Sequence, residues 1–190
     1  MSVCAEARHL AAFHAPYARL CRIVSAAPAA NRPMPSDAAL LDPFDRQILA
    51  LYQRNTRLPG EQIGAQVGLS AAAVQRRLKR MRESGVIQSE VAVLDCQALG
   101  LGVTAIVHVD LVDESAQASR RFRETVTARG EVQQCYGVTG TADYVLVVIV
   151  PDLAAYDTFC EACLLHDANV RSFTTHIVLD AVKRTGPLNF

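Results

Sequence analysis

The tract from Ser70 to Arg82 constrains the fold of this chain more than any other part of its sequence. It holds five basic residues and no acidic one, and it begins at the end of a tight turn, Gly68-Leu69-Ser70. Three apolar residues fall at i, i+4 and i+7, on one stripe of a helix: Val74, Leu78 and Met81. Ser70 can cap this helix and Gly85 can end it. A helix with one apolar and one basic side after a three-residue turn is typical of a helix-turn-helix.

Two shorter helices are predicted before this tract. Asp42 can cap the first, and Pro43 suits its first turn. Its apolar residues recur at helical spacing until about residue 55: Phe44, Ile48, Leu51 and Tyr52. The second helix begins at Pro59-Gly60 and buries Ile63 and Val67. Residues 86–94 alternate loosely and predict a short β ribbon, or wing, and residues 95–102 predict a hinge.

After the hinge the sequence changes to a β pattern. The apolar periods predict a strand over 102–112, a helix over 116–129, strands over 132–139 and 144–150, a helix from 151–152 and a strand over 170–182. The order βαββαβ is that of a split, ferredoxin-like sheet. The predicted fold class is therefore α+β. A winged helix-turn-helix occupies residues 41–100, and a ferredoxin-like βαββαβ effector-binding and dimerisation domain occupies residues 101–190.

Residues 1–40 lack such a pattern, because they are Ala-rich and contain four prolines. They are interpreted as a disordered extension or as an overlong gene start with Met34 as the initiator. Their basic, acid-poor character also fits a transit peptide. We assign no function to this segment.

Charge and apolar runs exclude several classes of protein. The longest apolar run, Tyr144–Val150, has seven residues, far short of the roughly 20 that cross a bilayer, so we expect no membrane span. The net charge is zero, yet the chain is basic towards its start and acidic over 101–190. Six scattered cysteines without a secretion signal fit reduced thiols, and we expect a cytoplasmic protein.

The third helix carries the clearest chemistry. When its apolar stripe faces inward, Gln75, Arg76, Lys79 and Arg80 lie on or beside the outward face, and the small Ala71 and Ala72 lie near its tip. Small residues allow the backbone to enter a major groove, where Gln can bind adenine and Arg can bind guanine or phosphate. The alternative is a solvated basic face. The turn and the three-helix context favour double-stranded DNA as the partner.

Four segments resemble the Lrp/AsnC (leucine-responsive/asparagine, feast/famine) family of regulators. In chain order they are LDPFDRQIL, VGLSAAAVQRRLKRMRESGVI, LDCQALGL and CYGVTGTADYVLVVIV. The resemblance covers residues 41–190. It implies a DNA-binding transcription regulator that dimerises through its effector domain, often assembles to octamers, and in many members binds an amino acid between effector domains of neighbouring dimers.

The resemblance also implies site residues. On the recognition helix it matches Ser70, Gln75, Arg76, Arg77 and Lys79, with Arg77 bracing either the fold or a phosphate. In the loop between the second and third effector strands it matches Thr139, Gly140, Thr141, Asp143 and Tyr144. Loop N–H groups around Gly140 can bind a carboxylate and Asp143 can accept from an ammonium, although a simple turn is the alternative. Thr174 or Thr175 on the last strand can add a hydroxyl.

The cysteines and histidines give weaker indications of function. Cys160 and Cys163 have the C-x-x-C spacing, but on an amphipathic helix they are predicted to pack in the core. His108 and His176 lie on strands that this fold places side by side, so their proximity needs no metal. Neither a catalytic constellation nor a cofactor motif is found, so the chain is predicted not to be an enzyme and to need no cofactor or metal. The alternative is an enzyme like siroheme decarboxylases, which resemble this two-part chain. The basic third helix disfavours that alternative.

The oligomeric state follows from the predicted sheet. A ferredoxin-like sheet carries helices on one face only, and Tyr144–Val150 is apolar on both faces. A second copy of the chain would cover the open face. We therefore expect at least a homodimer that presents two recognition helices to a palindromic site.

Overall fold

The computed structural model describes residues 41–190, and the predictions made for residues 1–40 lie outside the described residues. The described chain divides into two compact units. One consists of residues 41–94 together with Ala181–Phe190, and the other is Asp95–Asp180. The last ten residues, which the sequence placed in the second domain, group with the helical unit in this division. The division falls at residue 95, six residues before the predicted start of the second domain.

The helical unit contains three helices: α1 (Pro43–Tyr52), α2 (Gly60–Val67) and α3 (Ala71–Glu83). Helix α1 begins with a reciprocal cap. The N–H of Asp45 donates to Asp42 Oδ1 (2.8 Å), and the N–H of Asp42 donates to Asp45 Oδ2 (3.1 Å). The core between the helices consists of Ile48, Tyr52, Ile63, Val67, Val74, Leu78 and Met81. The predicted helix-turn-helix is confirmed, with the buried stripe of α3 as expected.

The turn between α2 and α3 depends on two glycines. Gly68 has φ 72°, the left-handed conformation that glycine adopts without strain. Gly64 is required by space, because a Cβ there would lie 2.3 Å from the carbonyl oxygen of Leu69. The Gly64 carbonyl also accepts the N–H of Leu69 (2.9 Å). These contacts bring α2 and α3 together closely.

The structure contains no strand over residues 86–94, where the sequence predicted a short β ribbon. Val91 and Val93 are 79% and 85% exposed, so no buried face fixes a strand register there. Glu90 is instead held by side chains, since Tyr52 Oη and Arg82 Nε both donate to its Oε1 (2.9 and 2.8 Å). The ribbon prediction was wrong for this reason.

The second unit is a four-stranded antiparallel sheet with two helices. Its elements are β1 (Val103–Leu111), α4 (Ala116–Thr127), β2 (Val132–Gly137), β3 (Tyr144–Val150), α5 (Leu153–Cys160), which continues as a π-helical turn (Glu161–Leu165), and β4 (Val170–Ile177). The strand order is β2-β3-β1-β4. The predicted ferredoxin-like arrangement is confirmed, although β2 and β4 end two and five residues earlier than expected.

The two faces of this sheet differ. On the helix-covered face, alternate residues of β1 and β3 pack with α4 and α5 around Phe122 and Phe159 in one core. On the other face, Ile106 lies opposite Val147 in the register of β1 and β3, and both are half-buried. That face carries no helix of this unit. No helix among residues 41–190 has the length and apolar character that crossing a membrane requires.

Candidate DNA-binding and effector sites

Helix α3 presents a polar face that the sequence located correctly. Ser70 caps the helix, because its Oγ accepts the N–H of Ala73 (3.2 Å). Five predicted DNA-binding residues of α3 are exposed: Ala72, Gln75, Arg76, Lys79 and Arg80. Ala71 and Arg77 are half-buried. The start of α2 lies beside this face, since a Cβ on Gly60 would lie 3.1 Å from Gln75 Nε2.

Two arginines of α3 bind acidic residues of α1. Arg77 Nη1 contacts Asp42 Oδ2 (2.5 Å) and Asp45 Oδ1 (2.9 Å), and Arg80 Nη2 contacts Asp45 Oδ2 (2.5 Å). Asp45 is fully buried, and Arg77 also lies 5.6 Å from the ring centre of Phe44. The hydrogen bond from Arg77 holds the pKa of Asp42 below its ordinary value. Arg77 thus braces α3 against α1, one of the two roles that the sequence left open.

A third arginine of the basic tract is also engaged. Arg82 donates to Glu90 and, through Nη2, to Tyr52 Oη (2.8 Å). The hydrogen bond from Arg82 lowers the pKa of Glu90. Lys79 lies 3.8 Å from Glu83, but both side chains are largely exposed, and such a pair is weak. Of the five basic residues in the tract, Arg76 and Lys79 are therefore the two most available to a ligand.

The predicted effector loop divides into an exposed and a buried part. Thr139, Gly140 and Thr141 are exposed, and Gly140 has φ 120°. Asp143 is 4% exposed, and its Oδ2 accepts the N–H of Leu111 (2.8 Å). Burial raises the pKa of this carboxyl. Asp143 therefore fixes the loop to the end of β1, a role that its position in a polar loop did not indicate.

Two further predicted effector residues lie on the helix-covered side. The Tyr144 ring is buried, with its centre 5.0 Å from that of Phe122. Thr175 is half-buried, and its Oγ1 forms a hydrogen bond with Tyr156 Oη (2.5 Å). Of the six predicted effector residues, three are thus exposed, Thr175 is half-buried, and Asp143 and Tyr144 are buried. The structure does not bring the six predicted residues into one exposed cluster.

The sequence did not predict a cleft that lies near the Leu111–Asp143 contact. It has a volume of about 380 Å³, and its lining residues are Val112, Asp113, Ala118, Arg121, Phe122, Asp167, Ala168 and Asn169. Its rim is largely self-bonded, since Asn169 Oδ1 accepts the N–H of Asp113 (2.8 Å) and Asp167 Oδ1 accepts the N–H of Asn169 (2.9 Å). The cleft begins one residue after Leu111, the partner of Asp143.

The cysteines and histidines hold no ligand set in the part of the chain that the structure describes. Cys160 and Cys163 are buried in the core, and burial raises the pKa of both thiols. His108 and His176 meet edge to face with ring centres 5.4 Å apart, as neighbouring strands predicted. Over residues 41–190, His, Cys, Asp and Glu form no group of three that could hold a metal ion.

The helical unit contains a contact that the sequence did not predict. Gln53, at the end of α1, pairs with the backbone of Leu188 near the end of the chain. Its Nε2 donates to the Leu188 carbonyl (3.0 Å), and its Oε1 accepts the Leu188 N–H (2.9 Å). A separation of 135 residues hides this pairing from any local pattern.

Comparisons with known proteins agree with this architecture. The AsnC-type helix-turn-helix domain matches residues 41–82, and the Lrp/AsnC ligand binding domain matches residues 104–188. An uncharacterized HTH-type transcriptional regulator from Sinorhizobium fredii is 39% identical over 145 residues, which are 76% of this chain and 86% of that protein.

Two solved structures are similar to the whole described chain. The L-Met complex of a transcriptional regulator from Neisseria meningitidis has a TM-score of 0.73 and 30% identity, and covers 78% of this chain and 96% of that one. A feast or famine regulatory protein from M. tuberculosis complexed with L-methionine has a TM-score of 0.70 and 27% identity, and covers 78% and 99%. The chain belongs to the Lrp/AsnC family of DNA-binding transcriptional regulators.

Proposed function

We propose that this regulator binds palindromic operators as a dimer or higher oligomer and responds to an amino acid. The observation that supports DNA reading best is the division of the basic residues on α3. Arg77, Arg80 and Arg82 contact acidic residues, whereas Gln75 and Arg76 are exposed beside the start of α2. Gln75 and Arg76 would bind base edges, and Lys79 would bind a phosphate.

Selection of bound duplexes from a random pool tests this proposal. The wild-type chain is expected to enrich a palindrome whose half-sites lie one helical turn apart, or a multiple of it. Arg76→Ala should enrich a motif that is relaxed at one position in each half-site. Glu83→Ala, on the same helix, serves as the control. Enrichment of one identical motif by wild type and Arg76→Ala would contradict base reading by Arg76.

The open sheet face supports dimerisation. Ile106, Val145, Val147 and Ile149 project from β1 and β3 on the side without helices, and all four are half-buried within one chain. A second copy would remove this apolar surface from water, which favours association at about 25 cal/mol per Å² before the cost of association itself. A homodimer of this kind carries two copies of α3. Assembly beyond the dimer, up to an octamer, is part of the same proposal.

The exposed loop supports an effector that carries a carboxylate. Thr139 and Thr141 offer hydroxyls, and the left-handed Gly140 frees loop N–H groups for an anion. Asp143 would position this loop rather than contact the ammonium, because its Oδ2 is already engaged by Leu111. Two similar structures were solved with L-methionine. An α-amino acid is the effector class that we propose for this chain.

Calorimetric titration with a panel of L-amino acids tests this part. L-Methionine is the first probe and D-methionine is its matched control, because both carry the same charges. We expect saturable binding of at least one L-amino acid, and weaker binding after Thr141→Val. A loop whose substitution leaves every titration unchanged would not be the effector site.

We also propose that the chain acts without catalysing a reaction, in the cytoplasm where its DNA is found. The absorption spectrum of the purified protein checks the first point against the tetrapyrrole-enzyme alternative. A regulator should show no visible band after incubation with siroheme and gel filtration. A stoichiometric bound chromophore would favour the enzyme.

A further inference from the structure

The last ten residues of the chain form part of the DNA-binding unit. Ala181–Phe190 groups with residues 41–94 and not with the sheet that precedes it. This segment, the tail, contains Lys183 and Arg184 and no acidic residue, and both basic side chains are exposed. Residues 41–94 already hold eight basic and five acidic residues. The tail therefore raises the positive charge of the unit that carries α3.

Gln53 holds the tail by its backbone. The side-chain amide of Gln53 donates to the Leu188 carbonyl oxygen (3.0 Å) and accepts the Leu188 N–H (2.9 Å). This is the pair of hydrogen bonds that the backbone of a neighbouring β-strand forms. The Leu188 side chain is 75% exposed, so it does not occupy an apolar pocket. The two hydrogen bonds to its backbone hold the tail at this position. The tail also turns on itself, because a Cβ on Gly186 would lie 2.7 Å from Lys183 Cε. The tail is thus docked at one defined position.

The anchor residue Gln53 is close in sequence to other basic residues. Arg54 directly follows Gln53, and Arg57 follows three residues later in the loop that leads to Gly60. Gly60 in turn lies beside Gln75 on the exposed face of α3. Lys183 precedes the anchored Leu188 by five positions, which limits the distance between their Cα atoms to about 18 Å. Lys183 therefore lies within this distance of the anchor at the end of α1.

We propose that the tail is a second DNA-contact element, in which Lys183 and Arg184 bind backbone phosphates beside the base pairs that α3 contacts. This inference rests on the proposed DNA binding and adds a site to it. Such contacts neutralise phosphates and release counterions without reading sequence. The tail then strengthens binding to every duplex alike, and Gln53 is a positioning residue that keeps the two cations at the DNA.

The alternative occupant is the effector domain of another copy. Asp95–Asp180 holds twelve acidic and five basic residues and would also attract a basic tail. The grouping of the tail with the helical unit and its anchor on α1 favour DNA. The experiment therefore measures DNA binding and oligomer size on the same variants.

The test is the salt dependence of binding by the full-length chain to a duplex of random sequence and to the selected palindrome. Each lost phosphate contact lowers the slope of log K against log salt by about 0.9. Lys183→Ala/Arg184→Ala should lower the slope by about 1.8 for each bound chain, or about 3.6 for a dimer, on both duplexes and leave their affinity ratio unchanged. Arg120→Ala/Arg121→Ala on α4 removes the same charge from the other unit and should leave the slope unchanged. Gln53→Ala changes no charge and should lower the slope part of the way, with faster hydrogen exchange at the Leu188 amide.

Three results would overturn the inference. These are a wild-type slope in Lys183→Ala/Arg184→Ala, an equal loss in the α4 control, and a smaller oligomer in light scattering with the slope unchanged. The last result would assign the tail to a neighbouring effector domain. Failure of the proposed operator reading looks different, because the palindrome would then bind no better than the random duplex while the slope still depended on the tail.

Discussion

The close approach of α2 to α3 gives the sharpest prediction. Gly64 lies in the middle of α2, where alanine would ordinarily stabilise a helix by about 1 kcal/mol. A Cβ at this position, however, would lie 2.3 Å from the Leu69 carbonyl oxygen and 3.3 Å from its carbon. Both are backbone atoms, so no side-chain rotation relieves the overlap. The turn itself must move.

Overpacking of this kind costs about 1–3 kcal/mol, and the helix-propensity gain offsets part of it. We expect Gly64→Ala to destabilise the helical unit by about 1–2 kcal/mol. It should also weaken operator binding, because the shifted turn carries the Leu69 N–H away from the Gly64 carbonyl and changes the angle of α3.

Substitutions at two other glycines distinguish the cost of steric overlap from the cost of backbone strain. Gly68 has φ 72° but open space around its Cβ position, so Gly68→Ala should cost about 1 kcal/mol from strain alone. Gly130 has neither a left-handed φ nor a neighbour within 4 Å, and Gly130→Ala should be close to neutral. The measurement is urea unfolding followed by circular dichroism, with hydrogen exchange at Val74 and Leu78 reporting on the helical unit. A Gly64→Ala chain as stable as wild type would refute the geometric argument.

Three further predictions concern DNA, assembly and pH. Arg76→Ala should weaken operator binding by about 1–3 kcal/mol for each half-site, whereas Lys79→Ala should weaken all duplexes alike and lower the salt slope by about 0.9 for each bound chain, both measured by fluorescence anisotropy. Val147→Asp should weaken the dimer at least about tenfold in sedimentation, a loss of about 1.4 kcal/mol, because a second copy would bury two like charges. Burial raises the pKa of the Asp143 carboxyl above its ordinary value of 3.8, so this group binds a proton more tightly in the folded chain than in the unfolded chain. Its contribution to the free energy of unfolding therefore falls as the pH rises from 3.8 through the raised pKa. Asp143→Asn should lack this decline in unfolding experiments between pH 4 and 7, and a parallel decline in both chains would assign it to another group.

The helices and strands were predictable because their signals are local. The stripe of Val74, Leu78 and Met81 and the cap at Ser70 fix α3 within one residue of its observed end. The same holds for Tyr144–Val150, whose bounds agree with β3. The wing failed because alternation alone does not supply a buried face. Polar and apolar residues alternate loosely over residues 86–94, yet the side chains of Val91 and Val93 are exposed to solvent.

The candidate sites were predictable only in part, because their polar residues look alike in sequence. Thr141 and Asp143 stand two residues apart in one polar loop, but the chain turns between them. Thr141 lies at the surface, and Asp143 accepts a backbone N–H from a strand 32 residues earlier. No periodicity of the loop records which side faces the core. The tail contact at Gln53 joins positions 135 residues apart and has no local signal.

The basic tract shows how the same limit affects the interpretation of mutations. Helical spacing correctly places Arg76, Arg77 and Arg80 away from the apolar stripe, but it gives no information about partners contributed by α1. Asp45 is a fully buried carboxylate that depends on Arg77 and Arg80 for compensation, and breaking such a pair costs up to about 3–5 kcal/mol when both partners are buried. Arg77 retains some exposure, so the loss on Arg77→Ala should fall below that range. Weaker DNA binding by Arg77→Ala would thus arise from a displaced α3, and it should be accompanied by lower stability. Arg76→Ala should weaken binding at unchanged stability, and only that combination identifies a residue that contacts DNA.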